Sequence, residues 1–115
     1  WTEGTTGVIS TSQFERVNPS AILINVARGP VVDTHALCEA LTKGKIAGAG
    51  LDVTDPEPLP RDHVLLKLEN VVIVPHLGSA ADATRRRMME MTVENLHAGL
   101  DRRKLPYPVP AHREA

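Results

Sequence analysis

Ala21-Ile22-Leu23-Ile24-Asn25-Val26-Ala27-Arg28-Gly29-Pro30 is the stretch that decides the fold. Its first six residues read as one apolar run of strand length rich in β-branched side chains, the pattern of a strand buried on both faces of a parallel sheet. Arg28-Gly29-Pro30 breaks the run. Upstream, Ser10 or Thr11 can cap a short helix through Gln13, Phe14 and Val17, which Asn18-Pro19 stops because proline cannot continue the hydrogen-bond ladder. Downstream, Asp33 is a good N-cap for a helix through Ala36, Leu37, Ala40 and Leu41, with Lys43 near the negative end of its dipole and Gly44 as a left-handed stop.

The same alternation continues toward the C-terminus. Lys45 to Val53 reads as a second strand whose small residues would let a neighbouring helix approach closely. It runs into Asp55-Pro56-Glu57-Pro58-Leu59-Pro60, a stiff connection. His63 to Leu68 can form one helical turn, Val71 to Val74 is a third strand, and Pro75-His76 ends it. Ser79 caps a long helix from about Ala80 to Arg103, with Met88, Met91, Val93, Leu96 and Leu100 on a broad apolar face. Leu105 to Ala115 carries Pro106, Pro108 and Pro110 and reads as an extended tail. Helix and strand alternate as in an α/β fold with a mostly parallel sheet, residues 1–104 forming one body and 105–115 the tail.

Composition narrows the partners. With 115 residues and 42% hydrophobic content the chain can bury one core. Thirteen basic and fourteen acidic residues give a formal charge of −1, so no overall field draws in nucleic acid or an anionic membrane. The Arg85-Arg86-Arg87 and Arg102-Arg103-Lys104 runs read as solvated helix faces. The single cysteine, Cys38, excludes an internal disulfide and a cysteine metal cluster, and fits a reducing, cytoplasmic setting. No apolar run approaches the ~20 residues of a bilayer span. The five histidines never occur as a close pair, so no metal is expected. The chain opens at Trp1 on a loop without an initiator Met, which reads as a piece of something larger.

In an open parallel sheet, ligands bind beyond the carboxyl ends of the strands. Arg28 follows the first strand, Asp52 ends the second with Glu57 shortly beyond it, and His76 follows the third. A guanidinium fork matches a carboxylate, and an imidazole beside a carboxylate holds a proton it can hand over. Together they describe reduction of a 2-oxo acid, with Arg28 on the substrate carboxylate and keto oxygen, His76 as proton donor and Glu57 orienting His76. Each residue also has a plainer reading. Arg28 could cap carbonyls of its own loop, Glu57 could be a solvated turn residue, and His76 a satisfied histidine beside Pro75. Gly78 allows close backbone approach, and Ser79, beyond its capping role, could touch substrate.

Val17-Asn18-Pro19-Ser20-Ala21-Ile22-Leu23-Ile24-Asn25-Val26-Ala27-Arg28-Gly29-Pro30-Val31-Val32-Asp33 resembles the long signature of the D-isomer-specific 2-hydroxyacid dehydrogenases. Gly50-Leu51-Asp52-Val53, Glu57-Pro58 and Pro75-His76-Leu77-Gly78-Ser79 resemble that family's next motifs in order. The resemblance covers Thr2 to about Val109 and is strongest to the glyoxylate reductase/hydroxypyruvate reductase branch. It implies the C-terminal half of a doubly wound, Rossmann-like dinucleotide-binding domain using NADP or NAD. It further implies Arg28, Glu57 and His76 as catalytic residues and Arg28, His76 and Ser79 against substrate. Val26, Asp52 and Gly78 would lie on the cofactor side. The full-length form would be a homodimer, and the tail would return to a substrate domain. No Gly-x-Gly-x-x-Gly occurs, so the chain alone is expected to be catalytically incomplete, with an unpaired edge on its first strand and uncovered apolar surface on its long helix. The alternatives are a dehydrogenase-like scaffold protein, as among the corepressors of this superfamily, and an inactive truncated product.

Overall fold

A computed structural model of the chain describes residues 1–109. They fall into two compact units, the first ending at Gly78 and the second beginning at Ser79.

In the first unit, three strands form a parallel sheet in the order β1 (Ile22–Asn25), β2 (Gly48–Leu51), β3 (Val71–Ile73). Helix α1 spans Thr11–Phe14 and α2 spans Thr34–Thr42. The Gln13 side-chain oxygen accepts the Ser10 N–H at 3.0 Å and starts α1. The helix stops after one turn, short of Val17, because Phe14 is its one buried residue while Val17 stands exposed. Asp33 caps α2 as expected, its Oδ1 accepting the Ala36 N–H at 3.0 Å, and Gly44 takes the left-handed φ of 65° just beyond the helix. Ala36, Leu37, Ala40 and Leu41 pack from α2 onto Ala49 and Leu51 of β2, with Phe14, Ile46 and Leu65 closing the core. Each fully buried leucine there contributes about 2 kcal/mol.

The α/β, parallel reading therefore holds, but β1 is not buried on both faces. It is an edge strand, as expected, and Asn25 is its one buried residue, while Ile22 and Ile24 stay 66% and 63% exposed. The register places Ile22 beside Gly48 and Ile24 beside Gly50, which in turn neighbours Val72. α1 and α2 both pack on the opposite face, so this row is left open. The glycines of β2 answer to their neighbours in the sheet rather than to an approaching helix. A Cβ on Gly48 would lie 2.8 Å from the Asn70 carbonyl oxygen, and one on Gly50 would lie 2.8 Å from Ile24 Cδ1.

A 3-10 turn at Val64–Lys67 leads into β3, as the sequence predicts, with the Leu65 N–H donating to His63 Nδ1 at 3.3 Å.

The second unit consists of α3 (Asp82–Leu100) and the segment after it. Ser79 does not cap α3. Ala81 occupies the N-cap with no side-chain hydrogen bond, and Asp82 in the first turn complements the positive end of the dipole instead. Of the apolar face predicted from sequence, Met88, Val93, Leu96 and Leu100 are exposed, while Met91 is half-buried and Met89, outside that set, is exposed. Tyr107 is fastened to the helix. Its N–H donates to Asn95 Oδ1 at 3.0 Å, its carbonyl accepts from Asn95 Nδ2 at 2.8 Å, and its hydroxyl accepts from Arg87 at 2.7 Å. That bond helps to hold the Arg87 guanidinium above its usual pKa. Of the tail expected over 105–115, residues 110–115 lie outside the described residues.

Candidate active site

The first unit presents its chemistry where the strands end. β1 ends at Asn25, and the chain turns at once through Val26 and Ala27 to Arg28. Gly29 is buried in this turn because the loop passes directly over the segment that follows β2. A Cβ on Gly29 would fall 1.9 Å from the Thr54 carbonyl oxygen, so no other residue fits without parting the two loops. Thr34 Oγ1 donates to the Asp55 carbonyl at 2.8 Å and ties the same loops from the start of α2.

β2 delivers Asp52, which is 7% exposed. Its carboxylate is committed to the turn after β3, with Oδ1 accepting the Leu77 N–H at 2.5 Å and Oδ2 accepting the Gly78 N–H at 2.7 Å. Its backbone carbonyl accepts the His76 N–H at 3.1 Å. These bonds hold His76 at a φ of 54°, a left-handed conformation that costs a non-glycine residue of order 1 kcal/mol and persists only where its surroundings enforce it. Gly78 belongs to this device, since a Cβ there would sit 2.9 Å from Asp52 Oδ2.

Held in this way, His76 faces Glu57. Its Nδ1 lies 2.7 Å from Glu57 Oε1, and both side chains are a little over 40% exposed. The bond to His76 is the main reason the Glu57 carboxyl stays below its ordinary pKa, reinforced by the Thr54 N–H, the charge of the imidazole and the charge of Arg28. The Glu57 loop holds its own shape as well, with Thr54 Oγ1 donating to the Pro56 carbonyl at 2.9 Å. Because Nδ1 is engaged by the carboxylate, Nε2 is the ring nitrogen free to meet a ligand. Beside the pair opens a cavity of 550 Å³ whose walls include Leu59, Ile73, Val74 and Pro75.

Of the residues singled out from sequence, Glu57 and His76 are in direct contact, and Asp52 lies beneath the His76 turn with Gly78. Arg28 is near enough for its charge to act on Glu57, but its guanidinium donates to the Ala27 carbonyl at 2.6 Å, the loop-capping contact that was its plainer reading. Val26 is exposed between β1 and Arg28, and Ser79 opens the second unit. Sequence reasoning passed over Asn25 and Gly29. The one polar residue in an apolar strand was a signal for the first, and a glycine directly after the candidate arginine was a signal for the second.

The residues present fit the nicotinamide end of a dinucleotide. Each Asp52 oxygen takes one backbone N–H and keeps a lone pair for an amide donor, and Val26 is exposed just after β1. Among the described residues there is no group of three or more His, Cys, Asp or Glu side chains that could hold a metal, and no helix long and apolar enough to cross a membrane.

Residues 1–78 match the sequence model of a family described as D-isomer specific 2-hydroxyacid dehydrogenase, NAD binding domain. The chain is 56% identical over 97 residues to a glyoxylate reductase of Korarchaeum cryptofilum, covering 84% of this chain and 29% of that protein. It is 48% identical over 105 residues to the human glyoxylate reductase/hydroxypyruvate reductase, covering 91% of this chain and 32% of that one. Among solved structures, the NADPH-dependent glyoxylate/hydroxypyruvate reductase of Sinorhizobium meliloti, in complex with NADP and malonate, superposes with a TM-score of 0.86 at 39% identity over 95% of this chain and 34% of its own. The fold is thus of the Rossmann type shared by these dehydrogenases, and the chain spans about a third of the length of the relatives it matches.

Proposed function

We propose, because the chain belongs to the D-isomer specific 2-hydroxyacid dehydrogenase family, that it carries the proton-donating and carboxylate-binding side of a reductase acting on a small 2-oxo acid, glyoxylate or hydroxypyruvate. The observation that carries this reading is the His76 Nδ1 to Glu57 Oε1 contact of 2.7 Å at the edge from which Arg28 also projects. Arg28 binds the substrate carboxylate through its fork and polarises the keto oxygen, exchanging the Ala27 carbonyl for the substrate. His76 holds the proton on Nε2 and gives it to that oxygen, while Glu57 fixes the ring and favours the imidazolium. A bound reduced cofactor, NADPH or NADH, would supply the hydride and leave as NADP⁺ or NAD⁺. Carbonyl plus hydride plus proton gives the D-2-hydroxy acid.

Val26, Asp52 and Gly78 flank the nicotinamide side of this arrangement, and Ser79 adds a substrate contact in the full-length protein. Residues 1–104 are the catalytic part of the dinucleotide-binding domain, and the tail serves to connect it onward. The full-length form is a homodimer, as the family resemblance implies, and the single cysteine fits a reducing, cytoplasmic setting.

The test is made in the full-length protein with hydroxypyruvate and glyoxylate. His76→Gln should lower kcat by about 100-fold or more with dinucleotide affinity retained, and Arg28→Ala should raise KM and lower kcat together. Unchanged turnover in the first variant removes His76 from the acid role, and an unchanged KM in the second removes the carboxylate contact.

A further inference from the structure

Two polar side chains are buried among the described residues, Asp52 and Asn25, and only the first is explained by the His76 turn. Asn25 is 5% exposed at the last position of β1, and both ends of its carboxamide are engaged. Nδ2 donates to the Arg28 carbonyl at 3.0 Å, and Oδ1 accepts the Ala27 N–H at 3.1 Å. Its own carbonyl accepts the Asp52 N–H at 2.9 Å, which ties this point of β1 to the strand end that holds His76.

We infer that Asn25 is the positioning residue for Arg28, a carboxamide clamp that sets the Ala27-Arg28 backbone so that the guanidinium projects beside the Glu57–His76 pair. The inference rests on the reading of Arg28 as the carboxylate binder. Arg28 itself is exposed, forms no ion pair among the described residues, and has a hydrogen bond only to its own loop. Among the described residues no hydrogen bond or ion pair from outside the loop aims it, so beyond the field of Glu57 its direction follows from the backbone. Clamping the backbone leaves only side-chain rotamers to be ordered when a carboxylate binds. The clamp requires one donor and one acceptor on a short planar group, which asparagine supplies. Aspartate, with the same shape, has no donor for the Arg28 carbonyl, and serine cannot span both partners.

The experiment is a double-mutant cycle in the full-length protein, with kcat and KM for hydroxypyruvate measured in the parent, Asn25→Asp, Arg28→Gln and the double variant. Asn25→Asp should lower kcat/KM by about tenfold, mainly through KM, with dinucleotide affinity unchanged. In the Arg28→Gln background the same substitution should be silent, because there is no longer a guanidinium to aim. An equal loss in both backgrounds overturns the proposal and makes Asn25 a general structural residue. Should Asn25→Asp fail to bind the dinucleotide, Asn25→Ser takes its place in the cycle, and failure of both to bind it also overturns the proposal. An unchanged KM in Arg28→Gln refutes the carboxylate-binding reading instead, and the proposal with it.

Discussion

Replacing Asp52 with asparagine tests whether the carboxylate holds the His76 turn. The substitution keeps shape and burial but leaves one oxygen for two N–H groups that now have one each, at 2.5 Å and 2.7 Å. One charge-assisted hydrogen bond, about 1.5–3 kcal/mol, is lost, and an NH₂ group is left facing the orphaned donor. Local opening of residues 76–78 should therefore become easier by about 2–4 kcal/mol. At about 1.4 kcal/mol per tenfold, exchange of the Leu77 and Gly78 amides should accelerate by roughly 30-fold to 700-fold. Hydrogen exchange read residue by residue on the full-length protein measures this directly, with the α2 amides as the internal standard. Turnover should fall in parallel, since the left-handed φ of His76 is no longer enforced. Exchange at Leu77 and Gly78 within threefold of the parent would refute the reasoning.

Gly29→Ala places a methyl 1.9 Å from the Thr54 carbonyl, so it should cost about 1–3 kcal/mol or more in denaturant unfolding and separate Arg28 from the Glu57 loop, seen as a loss of kcat/KM; a stable, active variant would show that the loops part freely. The lowered pKa of Glu57 makes its bond to His76 a stabilising term that is fully present above the usual glutamate range and lost as pH falls through the lower folded value. Acid unfolding of Glu57→Gln should accordingly lack this component, and superimposable acid transitions would argue against it. Burial pushes the Cys38 thiol up, so at neutral pH it should react with iodoacetamide more slowly than a free cysteine peptide, a difference read by mass spectrometry, and equal rates would contradict the packing beside Leu37.

The elements legible in the sequence were those whose cause is local. Asp33 and Gly44 bracket α2 because a cap and a left-handed stop act within one turn. β1 and β3 could be read because their β-branched runs are short and bounded by polar turns, and β2, Gly48-Ala49-Gly50-Leu51, because it lies in the apolar stretch between Lys45 and Val53. What depended on partners far along the chain was read less well. The burial of Ile22 and Ile24 is decided by what packs on their face, so an apolar run alone could not tell an open strand from a covered one. Ser79 looked like a cap because its type suits one, yet the helix begins three residues later. At the site, Glu57 and His76 could be paired from strand-end logic. Asn25 stood out only as the one polar residue of an apolar strand, and its two partners, backbone groups within its own turn, are not named by that pattern.

The left-handed backbone at position 76 also narrows which chemistry the fold can host. Lysine, tyrosine, cysteine, aspartate and glutamate can all move protons, but outside glycine the left-handed region is several-fold enriched in asparagine, aspartate and histidine. An aspartate there would stand as a second anion against Glu57. Of the proton carriers, histidine is the one both enriched in this conformation and complementary to its carboxylate neighbour, so under the proposed role the turn favours the acid before any substrate arrives. A redesign aimed at a different proton donor would have to rebuild the strand end itself rather than exchange one side chain.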